Sequence, residues 1–194
     1  MSELSEIDQL VAGIRELGDA KALAFGICLL ERAMPAFFQF QSDTGWVGGG
    51  VMRAAVARCW AVLEGSPAEA VKFVSVAECE SAMPDSEGRH SSDYTSAAID
   101  AVDMACNLLG FVESGDIELI VNSVTAQTDT IDLFVQQSDG SAHSLLKDEL
   151  DLMQADLDFL RVIDVGEAAL FPALLKRVSD LEYRTLRLKL PRVS

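Results

Sequence analysis

The sequence predicts an all-α fold: a single helical bundle of seven or eight helices over residues 1–194, with 185–194 as an extended tail. Three observations lead there. Apolar residues recur at helical spacing in one segment after another, each bounded by glycine, proline or a capping side chain. Alternation of the kind a half-buried strand needs occurs only in "TLRLKL" at 185–190, too little for a sheet. A chain of 194 residues, 49% of them hydrophobic, suffices for one full core.

The first helix follows from Ile7, Leu10, Val11, Ile14 and Leu17 behind a Ser5 cap, and Gly18 ends it. Asp19 then caps "AKALAFGICLLER", apolar nearly all round and so buried on most sides. Pro35 is expected to stop that helix, because the residue before a proline is pushed out of helical dihedrals. "SDTGWVGGG" at 42–50 is a flexible connection; it has neither the preceding strand nor the following lysine of a phosphate-binding loop. Residues 51–63 form the third helix, with Val56, Trp60 and Leu63 inward, and Gly65 ends it. "SPAE" at 66–69 supplies a cap, a first-turn proline and a glutamate, predicting a helix to about Ser81.

Polar "PDSEGRHSS" at 84–92 reads as a loop, after which Ser92 or Asp93 caps an apolar helix over 94–112. "ESGD" breaks to a helix over 117–137, and "SDGSAH" leads to a long helical stretch from Ser144 that Gly166 and Pro172 kink or divide.

With the elements in order, the chain resembles the YjaG-like family of bacterial helical proteins, a domain of unknown function. The resemblance rests on "LLERAMPAFFQF" with "TGW" after it, "RCWAVLEG", "SAAIDAVDMACNLL" and "DELDLMQADLDFLR". Glu31, Arg32, Pro35, Phe37, Phe40, Thr44, Gly45, Trp60, Ala98, Ile99 and Asp100 fall on places of the family pattern. Ala36 and Phe37 stand where the family usually has asparagine and tyrosine, which removes polar groups from that corner. The resemblance covers nearly the whole chain and implies a compact helical fold without an activity.

Charge separates the function classes. The net charge of −16 sits in the middle: residues 78–160 hold 2 basic and 18 acidic side chains, while the flanking segments cancel. Such a field repels nucleic acid and anionic lipid and attracts basic proteins or cations. The longest uncharged apolar stretch, residues 22–30, is far below the roughly 18 residues of a spanning segment. "MSELSEIDQL" is acidic where a secretory leader is basic, so a cytoplasmic protein is expected. Cys28, Cys59, Cys79 and Cys106 lie far apart without a CxxC pair or a nearby histidine, the pattern of buried reduced thiols. His90 and His143 fall in loops without a companion nucleophile, so no catalytic triad is nominated.

Two site readings remain. Asp100, Asp103 and Asn107 form one polar stripe on an apolar helix. With Glu149 and Asp156, and Asp129 or Asp132 as further donors, they could hold Mg²⁺ or Mn²⁺ for metal-dependent hydrolysis. The structural alternative pairs Asp100 with Arg32, makes Glu31, Arg32, Pro35 and Asp100 a buried tether, and has Glu31 accept from a neighbouring helix end or loop. The leading functional expectation is a non-enzymatic module that engages a basic partner, immunity- or antitoxin-like, through Asp85, Glu87, Asp93, Asp148, Asp151 and Asp158. A structural homo-oligomer is the third, and the basic tail with Arg184, Arg187, Lys189 and Arg192 is expected to fold back on the acidic region.

Overall fold

Phe25, Phe37 and Phe40 are fully covered on a single helix, which places that helix at the centre of the protein. The computed structural model describes residues 3–66, 74–85, 91–137, 144–163, 167–180 and 183–186. Among them eight helices follow in order: α1 (Glu3–Arg15), α2 (Asp19–Thr44), α3 (Gly49–Glu64), α4 (Val76–Glu80), α5 (Thr95–Ser114), α6 (Ile117–Gln137), α7 (Leu145–Val162) and α8 (Glu167–Val178). No strand occurs among the described residues, and the all-α class is as the sequence predicts.

α2 packs most extensively against α5 and also touches α3, α6, α7 and α8. Gly26 lets this happen: a Cβ there would stand 3.0 Å from Ile120 Cδ1 on α6 and from Leu108 Cδ1 on α5. α5 and α6 are joined through Gly115 and Asp116 alone, so they lie side by side. α1 covers α7, with Leu10 and Ile14 buried. α2 and α5 are long and apolar enough to cross a membrane, but 89% of the α2 window and 50% of the α5 window is buried in the bundle.

Three expectations about helix ends are corrected. Pro35 lies inside α2, which runs on to Thr44. A proline in a helix interior costs about 3 kcal/mol, yet the turns beyond it seat Phe37 and Phe40 in the core at 0% exposure, and that burial outweighs the lost hydrogen bond. The stop comes instead from Gly45 at φ 74°, whose N–H donates to the Gln41 carbonyl. Ser5 and Asp19 lie within the first turns of α1 and α2 rather than capping them; Gly18 is the extended residue before α2. Tyr94 precedes α5, where the Ser92 N–H donates to Thr95 Oγ1.

The helix expected over 66–81 is not continuous. Residues 67–73, where it was to begin, lie outside the described residues, and 74–75 are non-helical. α4 starts anew with a reciprocal cap: Ser75 Oγ accepts from the Glu78 N–H, and Glu78 Oε2 accepts from the Ser75 N–H at 2.9 Å. Trp46 Nε1 donates to the Ala82 carbonyl at 2.9 Å, fixing the segment after α4 to the turn before α3. Residues 187–190 of the alternating "TLRLKL", like Gly166 and most of the tail, lie outside the described residues.

Candidate functional site

Sequence reasoning singled out Arg32 and the aspartates of α5, and the two form separate sites. Arg32 projects from α2 into a closed polar cluster. Its Nε donates to Glu149 Oε1 at 2.7 Å and its Nη1 to Asp156 Oδ2 at 2.5 Å, both on α7, with no solvent reaching any of the three side chains. Nη1 also donates to the Tyr183 hydroxyl, and the guanidinium lies 4.9 Å from that ring's centre. Tyr183 donates in turn to Asp156 Oδ2 at 2.6 Å, Arg177 Nε of α8 donates to Asp156 Oδ1 at 2.5 Å, and Thr185 donates to Glu149 Oε2.

This arrangement corrects the expected pairing of Arg32 with Asp100. Glu149 and Asp156 stand seven positions apart on the same face of α7 as Met153, Leu157 and Leu160. A carboxylate in that stripe must be buried, and a buried arginine on α2 is its natural partner. The signal was present in the spacing; Arg177, Tyr183 and Thr185, on a later helix and a short segment, had none. Burial pulls the Arg32 pKa down, but Glu149, Tyr183 and Asp156 outweigh it and hold the guanidinium charged. Burial pushes the Tyr183 phenol well above its ordinary range. Glu31, at the rim, accepts from Trp60 Nε1 on α3 at 2.8 Å, a mid-helix donor rather than a helix end or loop.

The second site is an open cleft of about 580 Å³ between α4, α5 and α6. Glu80 of α4, Asp100, Asp103 and Asn107 of α5, and Asn122 and Asp129 of α6 line it. No lysine or arginine does so among the described residues. Asp100 Oδ2 accepts from Thr130 Oγ1. Burial raises the Asp100 pKa against that hydrogen bond, and the charges of Asp103 and Asp129 raise it further. Burial and then Glu80 raise that of Asp103. The described lining of the cleft therefore carries negative charge and no cation.

The four nominated metal ligands do not converge. Asp100 and Asp103 face the cleft, whereas Glu149 and Asp156 are committed to Arg32. No group of three His, Cys, Asp or Glu side chains is placed to hold a metal ion among the described residues. Of the nominated partner-binding residues, Asp148, Asp151 and Asp158 lie exposed on the outer face of α7, with Asp151 bonded by Lys147 and Asp158 by Gln154. Asp85 and Asp93 are exposed, and Glu87 lies outside the described residues.

A family profile described as "Protein of unknown function (DUF416)" matches residues 9–184. The chain belongs to the DUF416 family. This is the family resemblance carried by the glutamate–arginine–proline and tryptophan motifs. A DUF416 family protein from Shewanella baltica OS155, known from a crystal structure, has the same fold at a TM-score of 0.78 and 19% identity, covering 93% of this chain and 98% of that one. No curated protein matches the chain. Within this DUF416 chain, the "ER" of the α2 motif and the "DELDLMQAD" of α7 are the two sides of one buried ion cluster.

Proposed function

We propose that this DUF416 protein is a helical binding module whose α4–α5–α6 cleft receives a basic segment of a protein partner. The observation that supports this reading is the pair of carboxylates, half-buried Asp100 and exposed Asp103, in an open cleft whose described lining holds acids, amides and apolar groups but no cation. A carboxylate is kept in such a place at a cost to stability, and a lysine or arginine from outside would relieve it. The middle of the chain, with its 18 acidic side chains over 78–160, would steer such a partner from a distance. Four cysteines without a disulfide suit work in a reducing cytoplasm.

The test is fluorescence anisotropy of a labelled lysine- and arginine-rich peptide at low and high salt. Replacing Asp100, Asp103 and Asp129 by asparagine is expected to weaken binding roughly tenfold or more, since each partly exposed charge contributes about 0.5–1 kcal/mol. The same replacement at Asp148, Asp151 and Asp158, which removes equal charge from the outer face of α7, is expected to weaken it far less. Equal losses from both sets would assign the effect to net charge and overturn the cleft as the docking site.

A further inference from the structure

Two arginines are buried among the described residues, and their surroundings differ. Arg32, 4% exposed, has Glu149 and Asp156 as counterions. Arg184, 7% exposed, has no ion pair and no side-chain hydrogen bond among the described residues, and its Nη1 is covered without an acceptor. We propose that Arg184 anchors a binding site for a small monocarboxylate, in the open cavity where the start of α7 meets the segment Arg184–Leu186.

That cavity, of about 660 Å³, brings Arg184 together with the first turn of α7. Ser144 and Leu145 line it, and the Ser144 side chain makes no capping bond to this 18-residue helix. The first-turn N–H groups of a helix have no intrahelical acceptor and carry its positive dipole end, so they favour an anion. Arg184 is also held in place. Tyr183 before it donates to Asp156 and Thr185 after it donates to Glu149, so the backbone on either side is fastened to the buried Arg32 cluster. Burial lowers the Arg184 pKa against the pull of the Glu31 charge. A buried cation costs stability until an anion joins it, and a planar guanidinium takes a carboxylate through two parallel N–H···O bonds.

The rest of the lining selects the ligand. Leu145, Leu152 and Leu186 offer apolar surface to a short aliphatic body. Asp148 and Asp151, both exposed, line the same cavity, and Lys147 bonds Asp151. A second negative charge on the ligand would meet Asp148, so a single carboxylate is accepted where a phosphate dianion is repelled. The cavity shares no described residue with the α4–α5–α6 cleft, and the site is independent of what that cleft binds.

The experiment is isothermal titration calorimetry of the folded protein with isovalerate, inorganic phosphate and isobutylamine, the last having the same aliphatic body without the carboxylate. The expected result is saturable binding of isovalerate with a Kd on the order of 1 mM, and no saturation by the other two. Arg184→Gln should weaken isovalerate binding about tenfold or more, as loss of a charge-assisted hydrogen bond does. The same variant should melt no lower than wild type in ligand-free buffer, because it removes an unpaired buried charge. No saturation by isovalerate up to about 10 mM, equal binding of phosphate or isobutylamine, or undiminished binding by Arg184→Gln would overturn the proposal. A markedly lower melting temperature for Arg184→Gln would overturn it as well, by showing that the guanidinium already has a partner within the protein.

Discussion

Arg32 on α2 and Asp156 on α7 meet at 2.5 Å with neither side chain touched by solvent, although 124 positions separate them in the chain. The contact belongs to a cluster that also ties in α8 and the segment at Tyr183–Thr185. Arg32 Nη2 has no hydrogen-bond partner, so the cluster is charge-balanced more fully than it is hydrogen-bonded.

Removing the cation alone should therefore be severe. Arg32→Met leaves Glu149 buried without a countercharge and Asp156 with Arg177 alone, and breaking a buried pair in this way costs about 3–5 kcal/mol. Urea unfolding should report that loss. Combining it with Glu149→Gln and Asp156→Asn, which removes all three charges, should recover part of the stability. A single-variant loss below about 1 kcal/mol would mean that water enters the cluster.

Trp60 fastens α3 to the rim of the same region. Its Nε1 bond to Glu31 and its edge-on contact with Phe171 at 5.4 Å join α2, α3 and α8. Trp60→Phe keeps most of the ring and loses the donor to a carboxylate, a change expected to cost about 1–2 kcal/mol. Chemical denaturation followed by circular dichroism tests this, because fluorescence would lose one of the two tryptophans.

Gly26→Ala sets two effects against each other. Alanine gains about 1 kcal/mol in a helix interior, but its Cβ would lie 3.0 Å from Leu108 Cδ1 and 3.1 Å from Leu108 Cγ, a branch point that no rotation of its methyl groups relieves. Leu108 and Ile120 are both at 0% exposure, so neither has room to retreat. Overpacking of about 1–3 kcal/mol should prevail, and thermal melting is expected to show net destabilisation.

The cleft predicts a pH dependence of definite sign. Asp100 and Asp103 have folded pKa values above 3.8. Between 3.8 and those raised values the folded state binds more protons than the unfolded state, so these residues make stability fall as pH rises through that window. Asp100→Asn removes an ionisation that opposes folding while leaving an oxygen for Thr130. Its melting temperature should exceed wild type at pH 7, with the difference shrinking toward pH 4. A lower melting temperature at pH 7 would show that the ionised carboxylate is favoured where it stands.

Local pattern made most of the helices legible, and the helix expected over 117–137 matches α6 at both ends. Pro35 misled because its local preference is overruled by Phe37 and Phe40, whose burial is a property of the whole core. The cluster was half legible: Arg32 on an apolar helix demands a buried acid, but choosing among Asp100, Glu149 and Asp156 needs the packing of α2 on α7. The sequence showed the stripe of Asp100, Asp103 and Asn107 on one helix, whereas the cleft it lines, and the contribution of Glu80, depend on the placement of α4 and α6.

The Arg32 cluster also bears on the order in which the protein comes into being. Arg32 leaves the ribosome well before its partners at 149, 156 and 183, which follow 117, 124 and 151 positions later. At roughly 5–20 residues per second, Asp156 arrives on the order of 6–25 s after Arg32. Until then α2 cannot be fully enclosed without stranding a cation, so the face of the nascent helix that carries Arg32 waits for its α7 cover. A message truncated before codon 149 yields a chain that cannot complete the cluster around Arg32.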